Sequence, residues 1–74
     1  MIEAYIDNLA DLRLFLRTAR ELTGKSVNQV CTETGIDYHL LRRVEDNPDY
    51  KVNLKYVFVL LNHYGLQLHI EPKP

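Results

Sequence analysis

The stretch "DYHLLRRVED", residues 37–46, gathers the side chains of this 74-residue chain best suited to recognition chemistry. Arg42 and Arg43 each carry a planar fork of N–H donors that fits a phosphate or the O6/N7 edge of guanine. Tyr38 adds a phenol able to meet a phosphate or a thymine methyl, and His39 an imidazole. Leu40, Leu41 and Val44 recur at helical spacing, so a helix here turns them inward and projects Tyr38, His39, Arg42 and Arg43. The same pattern also fits the solvated face of any amphipathic helix. Other chemistries are poorly provided for. His39, His63 and His69 lack metal-ligand spacing, and Cys31 has no second cysteine, so neither a metal site nor a disulfide is expected. Cys31 reads as a small core residue. No Gly-rich phosphate loop, Ser/His/Asp spacing or paired carboxylates occur, which argues against an enzyme and against a cofactor.

Four helical segments must position these residues. Asn8 caps "LADLRLFLRTARELT", whose Leu9, Leu12, Leu16 and Ala19 form an apolar stripe closed by Gly24. Ile2, Tyr5 and Ile6 continue that stripe, yet Ile2, Ala4 and Ile6 also alternate, so residues 2–6 are either an earlier start of the helix or a separate arm. Ser26 caps "VNQVCTET", with Val27, Val30 and Cys31 on its buried side and Gly35 at its end. Asp37 caps "YHLLRRVED". After the Asn47-Pro48-Asp49 turn, Asn53 caps "LKYVFVLLNHY". This last helix is apolar nearly all round, which predicts burial on more than one side.

The second and third segments meet across Gly35-Ile36, which is a helix-turn-helix pattern. Cys31 is small where the helices approach, Gly35 suits a positive φ in the turn, and Ile36 fills the gap behind it. On these residues the chain resembles the Xre/Cro-type helix-turn-helix domains, and within them the HipB-type antitoxins. The resemblance runs over residues 9–71. Arg20 and Gly24 match the end of the family's first helix. Ser26, Val30, Cys31 and Gly35 match its second, and Val44-Glu45 the end of its third. "EDNPD", followed by an apolar helix and a short terminal strand, is similar to the HipB type in particular. The resemblance implies a structural ion pair between Arg20 and Glu45. It also implies base contacts from Tyr38, His39, Arg42 and Arg43. The family's phosphate-binding Gln after the second cap is Val27 here, so Ser26, Asn28 or Lys25 is expected to replace it. Lys25 and Thr34 stand where the family has apolar residues. Lys51, Asn53 and Lys55, in or after the next loop, are further candidates for phosphates. Arg13 and Arg17 share a helix face with Arg20 and read as solvated, as meeting a partner protein or as meeting DNA.

"LQLHI", residues 66–70, alternates Leu66, Leu68 and Ile70 with Gln67 and His69, the period of a strand with one apolar face. A lone strand leaves its backbone groups unpaired and invites another. Antiparallel pairing with a second copy is expected, so that Leu66, Gln67, Leu68, His69 and Ile70 form a dimer contact. Pairing with residues 2–6 of the same chain is the rival.

Composition agrees with a small binding domain. A chain this short builds a core worth only about 3–5 kcal/mol, which makes a partner subunit useful. Nine Lys and Arg stand against ten Asp and Glu, a net charge of −1, so any affinity for nucleic acid must come from local patches. There is no secretory h-region and no run long enough to span a membrane, so a cytoplasmic protein is expected. The expected fold is mainly α, a single domain over 1–74 with four or five helices, a helix-turn-helix and a terminal strand paired across a homodimer. The resemblance implies a repressor that binds palindromic operator DNA and a HipA-like kinase toxin. A protein-interaction module of the same fold with weak DNA binding, and a phage or controller repressor without a toxin, remain alternatives.

Overall fold

Each helix begins where a short polar side chain takes up an N–H that the helix itself leaves unpaired. Asn8 accepts from the Asp11 amide at 2.8 Å, Ser26 from Gln29 at 3.1 Å, Asp37 from Leu40 at 3.2 Å and Asn53 from Lys55 at 2.9 Å. The four caps start α1 (Leu9–Leu22), α2 (Val27–Thr34), α3 (Tyr38–Asp46) and α4 (Leu54–His63) of the computed structural model, which describes residues 5–70 and 72. The fold among these residues is helical, with four helices and no strand. Residues 5–7 lie outside α1, so the helix does not begin early; Ile2 and Ala4 fall outside the described residues.

α3 packs against α1 and α2, and α4 against α2. Val30, Leu41 and Leu60 are fully buried at the centre, with Leu16, Ile36, Val44, Val57 and Leu61 around them. Removing one such side chain to Ala leaves a cavity and costs about 2–5 kcal/mol. Cys31 sits at the edge of this core, half-buried.

Two expectations are corrected by the packing. Leu9, placed on the buried stripe of α1, is 37% exposed in the first turn of the helix. α4 is buried on one side only. Val57, Leu60 and Leu61 face the core, while Leu54 is 65% and Phe58 47% exposed. Among the described residues no further layer lies over that second face.

α4 ends in a Schellman turn. Gly65 takes φ +73°, its amide donates to Asn62 O at 3.1 Å, and the Leu66 amide donates back to Leu61 O at 2.8 Å. The positive φ, rather than any lack of space, is what calls for glycine there. The turn folds Leu66 back onto the core and sends residues 67–70 out along the surface, with Leu68 49% and Ile70 83% exposed.

Candidate nucleic-acid interface

The turn between α2 and α3 fixes the angle at which α3 is presented. Gly35 adopts φ +77°, and its amide donates to Cys31 O at 2.9 Å. Thr34 tightens the turn by its hydroxyl, which donates to Val30 O at 2.8 Å and accepts from the Ile36 amide at 3.3 Å. Ile36, 6% exposed, then plugs the corner.

α1 holds α3 from behind. Arg20 and Glu45 meet fork to fork, Nε to Oε2 at 2.7 Å and Nη2 to Oε1 at 2.9 Å, with the Glu45 side chain 1% exposed. Arg20 Nη1 also donates to Lys25 O at 2.8 Å, tying the α1–α2 loop to the same guanidinium. The hydrogen bonds to Glu45 raise the Arg20 pKa further above its ordinary range, against the opposing effect of burial. Arg13 Nη1 donates to the Glu45 carbonyl at 2.9 Å, capping the C-terminal end of α3. Sequence reading gave Arg13 no such role, because a side chain reaching 32 residues along the chain leaves no local pattern.

With α3 clamped at Leu41, Val44 and Glu45, its opposite face projects. Tyr38, His39, Arg42 and Arg43 are all exposed on it. Tyr38 and His39 pack edge to face, 5.6 Å between centroids at 84°. The Arg43 side chain has no hydrogen-bond or ion-pair partner among the described residues, while its carbonyl accepts from the Asn47 amide at 3.0 Å. Arg42 is held: its Nη2 lies 2.7 Å from Asp46 Oδ2. The other Asp46 oxygen faces Arg17 Nη1 at 3.9 Å, and Arg17 Nε is bound to Glu21 at 3.0 Å. His39, Arg42, Arg43, Asp46, Asn47 and Pro48 line one open groove. Its floor ends in an Asx turn, in which Asn47 accepts from the Asp49 amide at 2.9 Å. The i,i+4 spacing of Arg42 and Asp46 was the signal in the sequence for this pair.

Around α2, Ser26 and Asn28 are exposed at the N-terminal turn, and Lys51 is exposed in the loop before α4. The Ser26 oxygen is already the α2 cap, which leaves its hydroxyl proton available as a donor. Lys25, the third candidate for a phosphate, is engaged in an ion pair within the fold. Its ammonium sits 2.8 Å from Glu33 Oε1, which also receives His63 Nε2 at 2.8 Å. This triad joins the α1–α2 loop, α2 and the end of α4. The hydrogen bond from Lys25, then that from His63, holds the Glu33 carboxyl below its ordinary pKa.

No group in this region is set for reaction. Burial raises the Cys31 pKa, with the charges of Asp37 and Glu45 adding to it, so the thiol stays protonated. Tyr64, behind the Arg20–Glu45 pair, has its phenol pushed up by burial and then by the Glu45 charge, and its hydroxyl is buried without a partner among the described residues. Among those residues no group of three His, Cys, Asp or Glu could hold a metal ion.

No protein-family model and no curated protein matches the chain. Solved structures do. A chain of a HipA-HipB-O2-O3 complex superposes with a TM-score of 0.85 at 19% identity, over 97% of this chain and all of that one (100%). A chain of a complex between a HipB variant and an O2 20mer gives 0.86 at 19% identity, over 99% of this chain and 100% of its own. A structure named MDT Protein gives 0.85 at 19%, over 97% and 100%. At such identity the likeness is one of fold, and over almost its whole length this chain shares the fold of those chains.

Proposed function

We propose that the chain is a sequence-specific DNA-binding repressor, the HipB-type antitoxin of a HipA-like kinase toxin system, acting as a cytoplasmic homodimer on its own operon. One observation carries the reading: α3 is locked to α1 by the Arg20–Glu45 fork while Tyr38, His39, Arg42 and Arg43 project from its far side. A clamped helix with an exposed cationic face is what major-groove readout requires. Fold likeness to chains crystallised as HipB with HipA, O2 and O3 supports the same reading. Tyr38, His39, Arg42 and Arg43 then meet base edges, and Ser26, Asn28 and Lys51 set the register on phosphates.

Dimerisation belongs to this proposal. Residues 66–70 of two copies pair as antiparallel strands about a two-fold axis, covering Leu54 and Phe58 of both fourth helices. The two α3 helices then stand about 34 Å apart, or a multiple of it, on a palindrome. Sedimentation at twice the 8.7 kDa chain mass is expected, and deletion of residues 66–74 should abolish both the dimer and tight DNA binding. A truncated chain that still dimerises and binds sinks the strand assignment.

The central test is a mobility shift against the DNA upstream of the chain's own gene. Arg42→Ala with Arg43→Ala should weaken binding at least about tenfold, since each good bidentate Arg–guanine contact is worth about 1–3 kcal/mol. Unchanged binding refutes the assignment of α3. A second reading is favoured by the Arg42–Asp46 pair and the net charge of −1: a toxin-binding module with weak DNA binding. It predicts co-purification with the kinase and no shift. A phage or controller repressor predicts the shift without co-purification.

A further inference from the structure

Asp46 is an acid in an awkward place. It is the last residue of α3, where the helix dipole is negative and disfavours a carboxylate. It also lines the same groove as His39, Arg42 and Arg43, where a negative charge repels a phosphate backbone. The neighbouring acid, Glu45, has an evident structural partner; Asp46 has no buried one. Its two oxygens are instead divided between helices, Oδ2 toward Arg42 of α3 at 2.7 Å and Oδ1 toward Arg17 of α1 at 3.9 Å. Arg17 is steadied in turn by Glu21. The Asp46 carboxylate thus lies between the two helices, close to Arg42 and facing Arg17 at longer range.

We propose that Asp46 is a positioning residue for base readout: it fixes the Arg42 guanidinium for a guanine edge and screens it from phosphates, exchanging total DNA affinity for discrimination. The proposal rests on the DNA-binding reading above. The chemistry is that of the guanidinium. Arg has five N–H donors, and a single bond from Nη2 to Asp46 leaves the second Nη2 proton, paired with Nη1–H or with Nε–H, as a fork for O6 and N7. An unrestrained Arg on the same helix would sample many rotamers and settle on the nearest phosphate, which carries no sequence information. Arg43, next in the chain and without such a partner, supplies the unrestrained case within the same groove.

The test measures binding of the full chain to its own upstream duplex and to a random duplex of equal length, across a salt series. Asp46→Ala should bind the random duplex about three- to tenfold more tightly and lose about tenfold in preference for the upstream duplex. Its plot of log affinity against log salt on random DNA should steepen by about one, as the freed Arg42 gains a phosphate. Asp46→Asn removes the charge but keeps an acceptor, and should recover part of the preference. In an Arg42→Ala background, Asp46→Ala should leave the preference unchanged, which a merely structural role does not predict. Wild-type binding with preference and salt slope untouched by Asp46→Ala overturns the role of Asp46 alone. A wild-type chain that binds neither duplex overturns the DNA-binding reading and this proposal with it.

Discussion

Glu45 and Asp46 are adjacent in sequence, both end α3, and both pair with an arginine, yet they are different kinds of interaction. Glu45 is 1% exposed and accepts a two-pronged bond from Arg20; Asp46 is 38% exposed and holds Arg42 through one nitrogen. One step along a helix turns a side chain by about 100°, enough to move it from the core seam to the solvent face. The difference teaches that charge and spacing do not set the worth of an ion pair. Desolvation makes the Arg20–Glu45 pair indispensable once formed, because either partner alone is a buried charge. Solvent makes Arg42–Asp46 nearly neutral for stability, which leaves the pair free to serve recognition.

Removing one partner from the buried pair should have the largest effect. Arg20→Ala strands Glu45 and is expected to cost about 3–5 kcal/mol. In a domain of this size that lowers the melting temperature by more than about 10 °C, measurable by circular dichroism. A loss under about 1 kcal/mol would mean that water reaches Glu45 and that the contrast with Asp46 is false. Replacing both partners, Arg20→Met with Glu45→Leu, should recover most of that loss in urea unfolding, since no charge is left stranded. Failure to recover would locate the cost in the bond from Arg20 to the Lys25 carbonyl instead.

The exposed pair gives the opposite limit. Asp46→Ala should change stability by less than about 0.5 kcal/mol, because the ion pair it loses is screened and the helix dipole favours its removal. A larger loss would place Asp46 in the same class as Glu45. The smallest effect belongs to the Lys25–Glu33–His63 triad. Glu33 has a folded pKa below its ordinary 4.5, so its stabilisation is present above that pH and lost as the pH falls through the lower folded value. Glu33→Gln should therefore unfold at slightly lower urea than wild type at pH 7, and the gap should close in acid. A gap that persists at the lowest pH would show that packing, rather than charge, links α2 to α4.

The contrast also marks what the sequence could disclose. All four caps were legible, because Asn8, Ser26, Asp37 and Asn53 act within three residues of themselves. The turn at Gly35 and the exposed face of α3 followed from spacing in the same way. Local pattern carried no sign of the bond from Arg13 to the Glu45 carbonyl or of the bridge from Glu33 to His63, 30 residues on, since both depend on how helices cross. The apolar residues of α4 gave the right count for two buried faces. Within one chain the described residues cover one of them and leave Leu54 and Phe58 exposed, on the face that the proposed dimer would cover.

Tyr64 turns this architecture into its own gauge. The chain has no tryptophan and five tyrosines, so phenol ionisation dominates the change of its near-ultraviolet absorbance in alkali. With its phenol pushed above the ordinary value of 10 by burial, Tyr64 should stay un-ionised in alkali that would ionise an ordinary phenol. Its late ionisation, read by absorbance, reports the moment at which water first enters behind the Arg20–Glu45 fork, without any label.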